Sequence, residues 1–184
     1  MDSISLETPL SVDQIAELRA GQTCLLSGII YTARDAAHKR LMDLMDKGEE
    51  LPIELEGQVI YYVGPCPAPP GRVIGSAGPT TSVRMDAYTP TILAAGVRAV
   101  IGKGDRSLKV VQSLVDNKAV YLGAIGGAGA LIARHIHEAE VVAFPELGPE
   151  AVHRLRVKDL PVVVIIDSQG NNYYTLGRQQ FSKR

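Results

Sequence analysis

The chain has 184 residues, with 19 Lys and Arg set against 20 Asp and Glu and a formal net charge of −1. That length suits one domain, residues 1–184. The interspersed charges offer no basic face for nucleic acid or a membrane surface, and no run approaches the ~18 apolar residues of a membrane span.

The N-terminus is acidic and lacks a long apolar stretch, so it is not a signal peptide, and a cytoplasmic protein is expected. Tryptophan is absent and Phe is scarce, so Val, Ile, Leu and Ala must fill the core, as suits an α/β domain. Cys24 and Cys66 are the only cysteines, far apart and without C-x-x-C spacing, and they cannot form a four-ligand metal site. Cys24 lies in an apolar run and reads as a core thiol, Cys66 in Gly-Pro-Cys-Pro as a loop residue.

In chain order, Ile4 to Pro9 alternates like a short strand, and Ser11 caps a brief helix, Val12 to Leu18. Thr23 to Ile30 reads as a buried strand. A helix entered through Tyr31–His38 continues to about Lys47, with Ala37, Leu41, Leu44 and Met45 on one face and Lys39, Arg40, Asp43 and Asp46 opposite. Asp35 in its first turn suits the helix dipole and Arg34 does not, so Arg34 needs another reason to be there. His38, one turn on, reads as a helix-surface or core-edge histidine. Leu51 to Leu55 is a short strand or extended linker and Gln58 to Val63 a strand. Gly64–Gly71 is too rich in proline for either helix or central strand.

Ala87 to Ala95 is helix-like, Ala99 to Ile101 a strand, and Asp105 or Ser107 opens a helix to about Asn117. The strand Ala119 to Leu122 leads into Gly126-Gly-Ala-Gly129 and a helix through His137. Those glycines lack G-x-G-x-x-G spacing, so they indicate tight packing or a pocket lining rather than a dinucleotide site. Glu140 to Phe144 reads as a strand, Pro149 to Leu155 as a short helix, Pro161 to Asp167 as a strand, and Tyr173–Thr175 as its hairpin partner after Gly170. Gln179 to Arg184 is polar and expected to fray. Alternating strands and helices argue for a largely parallel sheet with helical crossovers.

The stretch Gly75–Asp86 concentrates the chemistry. Thr80, Thr81 and Ser82 follow a Gly-Pro pair and precede a periodic segment, the place for a helix N-cap and for an anion at a helix N-terminus. Arg84 and Lys103, the latter in Gly102-Lys-Gly104, add positive charge. A pocket for a small carboxylate or phosphate and an ordinary capped helix with a solvated Arg both fit this pattern.

Three motifs together carry a resemblance: Thr32-Ala-Arg-Asp-Ala-Ala-His-Lys39, Ser76-Ala-Gly-Pro-Thr-Thr-Ser-Val-Arg-Met-Asp86 and Gly102-Lys-Gly104. Gly126–Leu131, Leu147-Gly-Pro-Glu-Ala151 and Val157–Asp167 extend it over nearly the whole chain. The chain resembles the C-terminal half of class I fumarases, which is also the β subunit of L-tartrate dehydratase. The resemblance implies a swivelling β/β/α three-layer domain that closes over a partner. It implies that the partner, a cluster-bearing α subunit, holds a [4Fe–4S] cluster through three cysteines. One iron, left open, acts as a Lewis acid in reversible hydration of a C4 dicarboxylate such as fumarate. By motif, Arg34, Thr80, Arg84 and Lys103 fall at substrate-contacting positions, with Thr80 as the candidate proton-transfer residue. The same likeness allows pairing of the chain with itself inside an α2β2 assembly.

Elementary chemistry agrees with those assignments: a dicarboxylate needs two cationic clamps, and Arg offers a planar fork where Lys offers a point charge. With two cysteines this chain binds no cluster and should not turn over alone. A tartrate dehydratase subunit, a stand-alone carboxylate-binding regulatory module and a purely structural partner remain as competing readings.

Overall fold

The computed structural model describes residues 3–125 and 127–181. The first half of the chain forms β1 (Ile4–Glu7), α1 (Val12–Glu17), β2 (Thr23–Thr32), α2 (Asp35–Lys47) and β3 (Val59–Tyr61). A 3-10 turn, Ser82–Met85, then precedes α3 (Thr89–Ala94), β4 (Ala99–Gly102), α4 (Leu108–Asp116) and β5 (Val120–Gly123). Next come α5 (Gly129–Ile132), a 3-10 turn Ala133–His135, β6 (Ile136–Ala143), a 3-10 segment Pro145–Glu150, β7 (Val152–Ile166) and α6 (Tyr173–Phe181). Local chemistry explains several of these. Ser11 and Gln14 form a reciprocal capping box at α1, and Ser107 caps α4 by accepting from the Val110 N–H. On α2 the buried residues Ala37, His38 and Leu41 share one face, with Lys39 and Arg40 exposed.

Seven strands form one sheet in the order β1-β2-β3-β4-β5-β7-β6. Strands β1 to β5 are parallel neighbours, as the strand–helix alternation predicts. β7 runs antiparallel to β5, β6 and β2. Its pairing with β2 joins the two ends of the run β2-β3-β4-β5-β7 and closes it into a barrel. The register slips between Leu26 and Gly28, where Gly28 has φ 102°. A Cβ at Gly28 would collide with the Thr8 hydroxyl, so only glycine lets β1 and its turn lie against β2 at this bulge.

Closure divides the apolar residues into two cores. Leu26, Ile30, Val59, Tyr61, Ile101, Leu122, Leu155 and Val164 fill the barrel. Ile60, Tyr62, Val100, Tyr121 and Ile165 point outward, under α2, α3 and α4, and meet Leu41, Ile92, Leu93 and Leu114. Strands β3, β4 and β5 are therefore buried on both faces, which is why they read as continuous apolar runs. Each fully buried Leu or Ile here contributes about 1.5–3 kcal/mol.

The fold takes the linker alternative for Leu51–Leu55 and differs from sequence expectation in three places. Leu51–Leu55 is irregular, and its buried side chains, Ile53 and Leu55, are held by the outer core rather than by strand pairing. The helix after the glycine loop stops at Ile132, and Ile136 already opens β6. The segment 149–155 is not a helix: a 3-10 turn ends at Glu150, and Val152, Leu155 and Val157 are the buried positions in the first part of β7, flanked by His153, Arg154 and Arg156. Pro161–Ile166, read as a strand, is one and forms the end of that same 15-residue strand. Tyr173–Thr175 starts α6 instead of pairing as a hairpin, because Asn172 Oδ1 accepts from the Tyr174 N–H and leaves one isolated bridge, Ile166–Asn172. The expected fraying of Gln179–Arg184 falls largely outside the described residues, as does Gly126 of the glycine loop. Among the described residues no helix is long and apolar enough to cross a membrane.

Barrel closure at the bulge is open to a direct test. Gly28→Ala must place a Cβ at positive φ and against Thr8, and should lower the unfolding free energy by more than about 1 kcal/mol in equilibrium urea denaturation. An unchanged midpoint and slope would show that the bulge tolerates a side chain.

Candidate functional site

In parallel α/β arrangements, open or closed, ligands gather beyond the carboxyl ends of the strands. The sequence motifs sit there. β2 ends at Thr32, two residues before Arg34. Past the end of β3, the Tyr62 carbonyl accepts from the Thr80 N–H at 2.7 Å. Past β4, Lys103 forms a parallel bridge with Thr81, and its carbonyl accepts from the Ser82 N–H at 2.9 Å. The loop after β5 joins the same end: the Gly129 carbonyl accepts from the Ala77 N–H at 3.1 Å. A Cβ at Gly129 would strike the Ser76 hydroxyl and lie 2.8 Å from the Gly78 nitrogen, so the two glycine-bearing loops pack backbone on backbone. Gly129 is a packing element, one of the two roles expected of that glycine loop, whereas a Cβ at Gly127 would meet nothing within 4 Å.

Of the four predicted residues, Arg34 and Arg84 are brought together, and the link between them is Asp35. Arg84 donates from Nε to Asp35 Oδ1 at 3.1 Å, and its Nη2 lies 2.8 Å from Asp35 Oδ2. Arg34 Nη2 lies 3.8 Å from the same Oδ2 and 3.4 Å from Glu150 Oε1. Glu150 Oε2 in turn accepts from the Ala36 N–H at 2.9 Å, capping α2 from the far end of the chain. Arg34 occupies the N-cap position of α2 in extended conformation, and two carboxylates offset its charge at that unfavourable dipole end. A cleft of about 710 Å³ opens here, lined by Arg34, Asp35, Lys39, Tyr88, Leu147 and Glu150 among others. Thr80 is half-buried, Arg84 is half-exposed and the Lys103 side chain is exposed.

The helix-terminus reading of Thr80–Ser82 does not survive. Thr81, not Thr80, holds the N-cap of Ser82–Met85, it makes no side-chain cap bond, and the element is a single 3-10 turn rather than a helix with a developed dipole. Extended backbone at Thr81 serves the bridge to Lys103 instead. Ser82 is buried, its hydroxyl 3.0 Å from the Tyr121 hydroxyl. The helix itself starts later than Ala87, at Thr89, with Pro90 in its first turn.

Behind the cleft lies a buried polar group that the sequence reading did not identify. The Arg106 side chain is fully buried; Nε donates to Asp86 Oδ1 and Nη2 to Thr89 Oγ1, each at 2.7 Å. Its guanidinium also lies over the rings of Tyr62 and Tyr121, at 5.4 and 5.0 Å. Asp86 Oδ2 accepts from the Ser107 N–H, which ties the site motif to the start of α4. Asp86 was visible as the last residue of that motif, but its partner lies 20 residues away and no periodicity marks it. His38 is core, not surface. It is fully buried, packed edge-on to Tyr62 and stacked on Tyr88, with Nδ1 2.9 Å from the Arg34 carbonyl. That acceptor fixes Nδ1 as the protonated nitrogen, and burial pushes the imidazole pKa down to about 4.

No group of three or more His, Cys, Asp or Glu suited to a metal ion occurs among the described residues. Cys24 is sealed in the barrel core, where burial pushes its thiol up to about 11, and Cys66 is exposed on the proline-rich loop. The described residues, with one buried and one exposed cysteine, do not fit an iron–sulfur cluster.

The sequence profile described as "Fumarase C-terminus" matches residues 1–177. The chain belongs to this family. The putative class I fumarate hydratase of Geobacillus stearothermophilus is 43% identical over 176 residues, covering 93% of this chain and 33% of the relative. The anaerobic class I fumarate hydratase of Escherichia coli is 37% identical over 175 residues, covering 93% of this chain and 32% of its own. The putative L(+)-tartrate dehydratase subunit beta of Methanocaldococcus jannaschii is 37% identical over 171 residues, covering 90% of this chain and 88% of the subunit. This Fumarase C-terminus chain thus spans about a third of those fumarate hydratases and most of the tartrate dehydratase subunit.

The buried imidazole gives the family member a pH signature. His38 titrates near its ordinary 6.5 when unfolded and near 4 when folded, so between those values the unfolded chain binds the extra proton. The contribution of the neutral ring is complete above pH 6.5 and is lost as pH falls towards 4, by up to about 1.4 kcal/mol per pH unit. Urea titrations from pH 7 to 4.5 should therefore show the stability gap between wild type and His38→Gln narrowing as pH drops. A gap independent of pH would mean that His38 titrates alike in both states.

Proposed function

We propose that this chain is the β subunit of an iron–sulfur-dependent hydro-lyase and, with a cluster-bearing α subunit, reversibly hydrates a C4 dicarboxylate, fumarate to malate. The observation that carries this reading is the Arg84 guanidinium, hydrogen-bonded through Nε to Asp35 and paired with that carboxylate in the same cluster as Arg34. Two guanidinium groups held side by side can each turn a remaining edge to one end of a dicarboxylate. The family membership and the names of the fumarate hydratase relatives support it. In this reading residues 1–177 and the short tail act as one domain that swivels, as a β/β/α body, over the α subunit in the cytoplasm, within an α2β2 assembly.

The roles follow from the side chains. Arg34 and Arg84 hold the two substrate carboxylates, and the exposed Lys103 adds a point charge at the end of β4. Thr80, its backbone pinned to Tyr62, brings a hydroxyl to the reacting carbon for proton transfer. A free threonine is a weak base, so the surrounding cations must favour its alkoxide form. The cluster is the α subunit's contribution. Tartrate is the second substrate reading, favoured by a relative that is itself a β subunit and is covered over 88% of its length.

Reconstitution with the α subunit tests these assignments. Arg84→Lys keeps the charge and loses the fork, and kcat/KM should fall by the equivalent of about 2–5 kcal/mol. Thr80→Ala should lower kcat by about 10²–10⁴-fold with little change in KM, and Thr80→Ser should keep much of the rate. Wild-type kinetics in Arg84→Lys would remove that fork from the site. A Thr80→Ala enzyme that merely melts earlier, with full turnover per folded site, would return Thr80 to a structural role.

A further inference from the structure

Arg84 and Arg34 are not free cations waiting for a ligand. A guanidinium offers a side edge, Nε with Nη2, and an end edge, Nη1 with Nη2, and each can take a carboxylate in a fork. Asp35 occupies the side edge of Arg84 through one hydrogen bond, Nε to Oδ1 at 3.1 Å, with Nη2 in ion-pair contact 2.8 Å from Oδ2. No described residue engages Nη1 of Arg84 in a hydrogen bond or ion pair, so its end edge is left open. The same Asp35 oxygen lies 3.8 Å from Arg34 Nη2, so one carboxylate touches both arginines. Asp35 stands in the first turn of the 13-residue α2, and that helix is held from outside by Glu150 on the Ala36 N–H. The anchor is therefore rigid where the arginines, long and flexible, are not.

We propose that Asp35 is a positioning residue of this site: it fixes the plane of the Arg84 guanidinium relative to Arg34, leaving the end edge of Arg84 to receive a substrate carboxylate. The proposal rests on the hydro-lyase reading above and adds to it a residue that does not itself touch the reacting atoms. It also explains the presence of an acidic residue inside a site built for anions. A carboxylate here would repel the substrate if it were unpaired; paired side-on with Arg84 it converts a mobile cation into an oriented one, which limits the freedom lost when substrate binds.

The test uses the full chain with its α subunit, fumarate as substrate, and Asp35→Asn and Asp35→Glu variants checked for folding by thermal melting. Asp35→Asn should raise KM by about 10- to 100-fold, with a smaller change in kcat, because the fork is misaligned rather than removed. Asp35→Glu, which restores the charge, should recover part of the loss. Independently of turnover, the Arg84 Nε–H resonance of the full chain, assigned by its disappearance in Arg84→Lys, should exchange slowly with water and do so much faster in Asp35→Asn. An unchanged KM, or a KM that falls because Asp35 had been competing with substrate, overturns the proposal, as does an Nε–H that exchanges equally fast in both proteins. If the unaltered complex neither hydrates fumarate nor dehydrates tartrate, the hydro-lyase reading fails and takes the proposal with it, a result distinguishable because the wild-type control alone reveals it.

Discussion

The pairing of β7 with β2 governs the architecture. Fifteen residues long, β7 reaches β5 with one end, β6 with the other and β2 with its middle. Without that contact the five parallel strands would be an open sheet with exposed edges. With it, the inward side chains are sealed into a barrel core and the outward ones, Tyr62 and Tyr121 among them, face the helices. Closure also fixes where the loops emerge. Because β2 to β5 run parallel, their carboxyl ends lie together, and four loops from distant parts of the sequence converge at one end of the barrel.

Electrostatic arrangement at that end proceeds from inside outward. Arg106, fully buried, is neutralised by Asp86, and that pair joins the Ser82–Met85 turn to the start of α4. Removing one member of such a buried pair leaves an uncompensated charge, a cost of about 3–5 kcal/mol, so the turn that carries Arg84 has a firm base. Nearer the surface, Arg84, Asp35, Arg34 and Glu150 alternate in sign. Exposed pairs of this kind contribute only about 0–1 kcal/mol each to stability, so their value is in orientation, not in holding the fold.

The strands β2 to β5 and helices α1, α2 and α4 were legible because their apolar spacing is regular and their caps are local. β7 was only half legible: its first part alternates buried Val152, Leu155 and Val157 with His and Arg, and Pro149 just before it suggested a helix start. Tyr173–Thr175 misled because aromatic and β-branched residues favour strands, while the Asn172 cap that makes them helical is a single side chain. In the site, the motifs marked Arg34, Thr80, Arg84 and Lys103; the structure sets Arg34 and Lys103 just past β2 and β4, ties Thr80 to Tyr62 just past β3 and puts Arg84 in the 3-10 turn that follows. What sequence could not give was partnership across distance. Asp35 and Arg84 are 49 residues apart, and Ala36 and Glu150 are 114 apart, and neither separation has a period to read.

The contact between Gly78 and Gly129 constrains how such a site can diversify. A Cβ at position 129 would lie 2.8 Å from the Gly78 nitrogen, so any residue larger than glycine there would force the loops after β3 and β5 apart. Position 129 is therefore closed to side-chain change by packing, whereas Lys39, Tyr88 and Leu147 line the cleft from outside the sheet and can be exchanged without moving a strand.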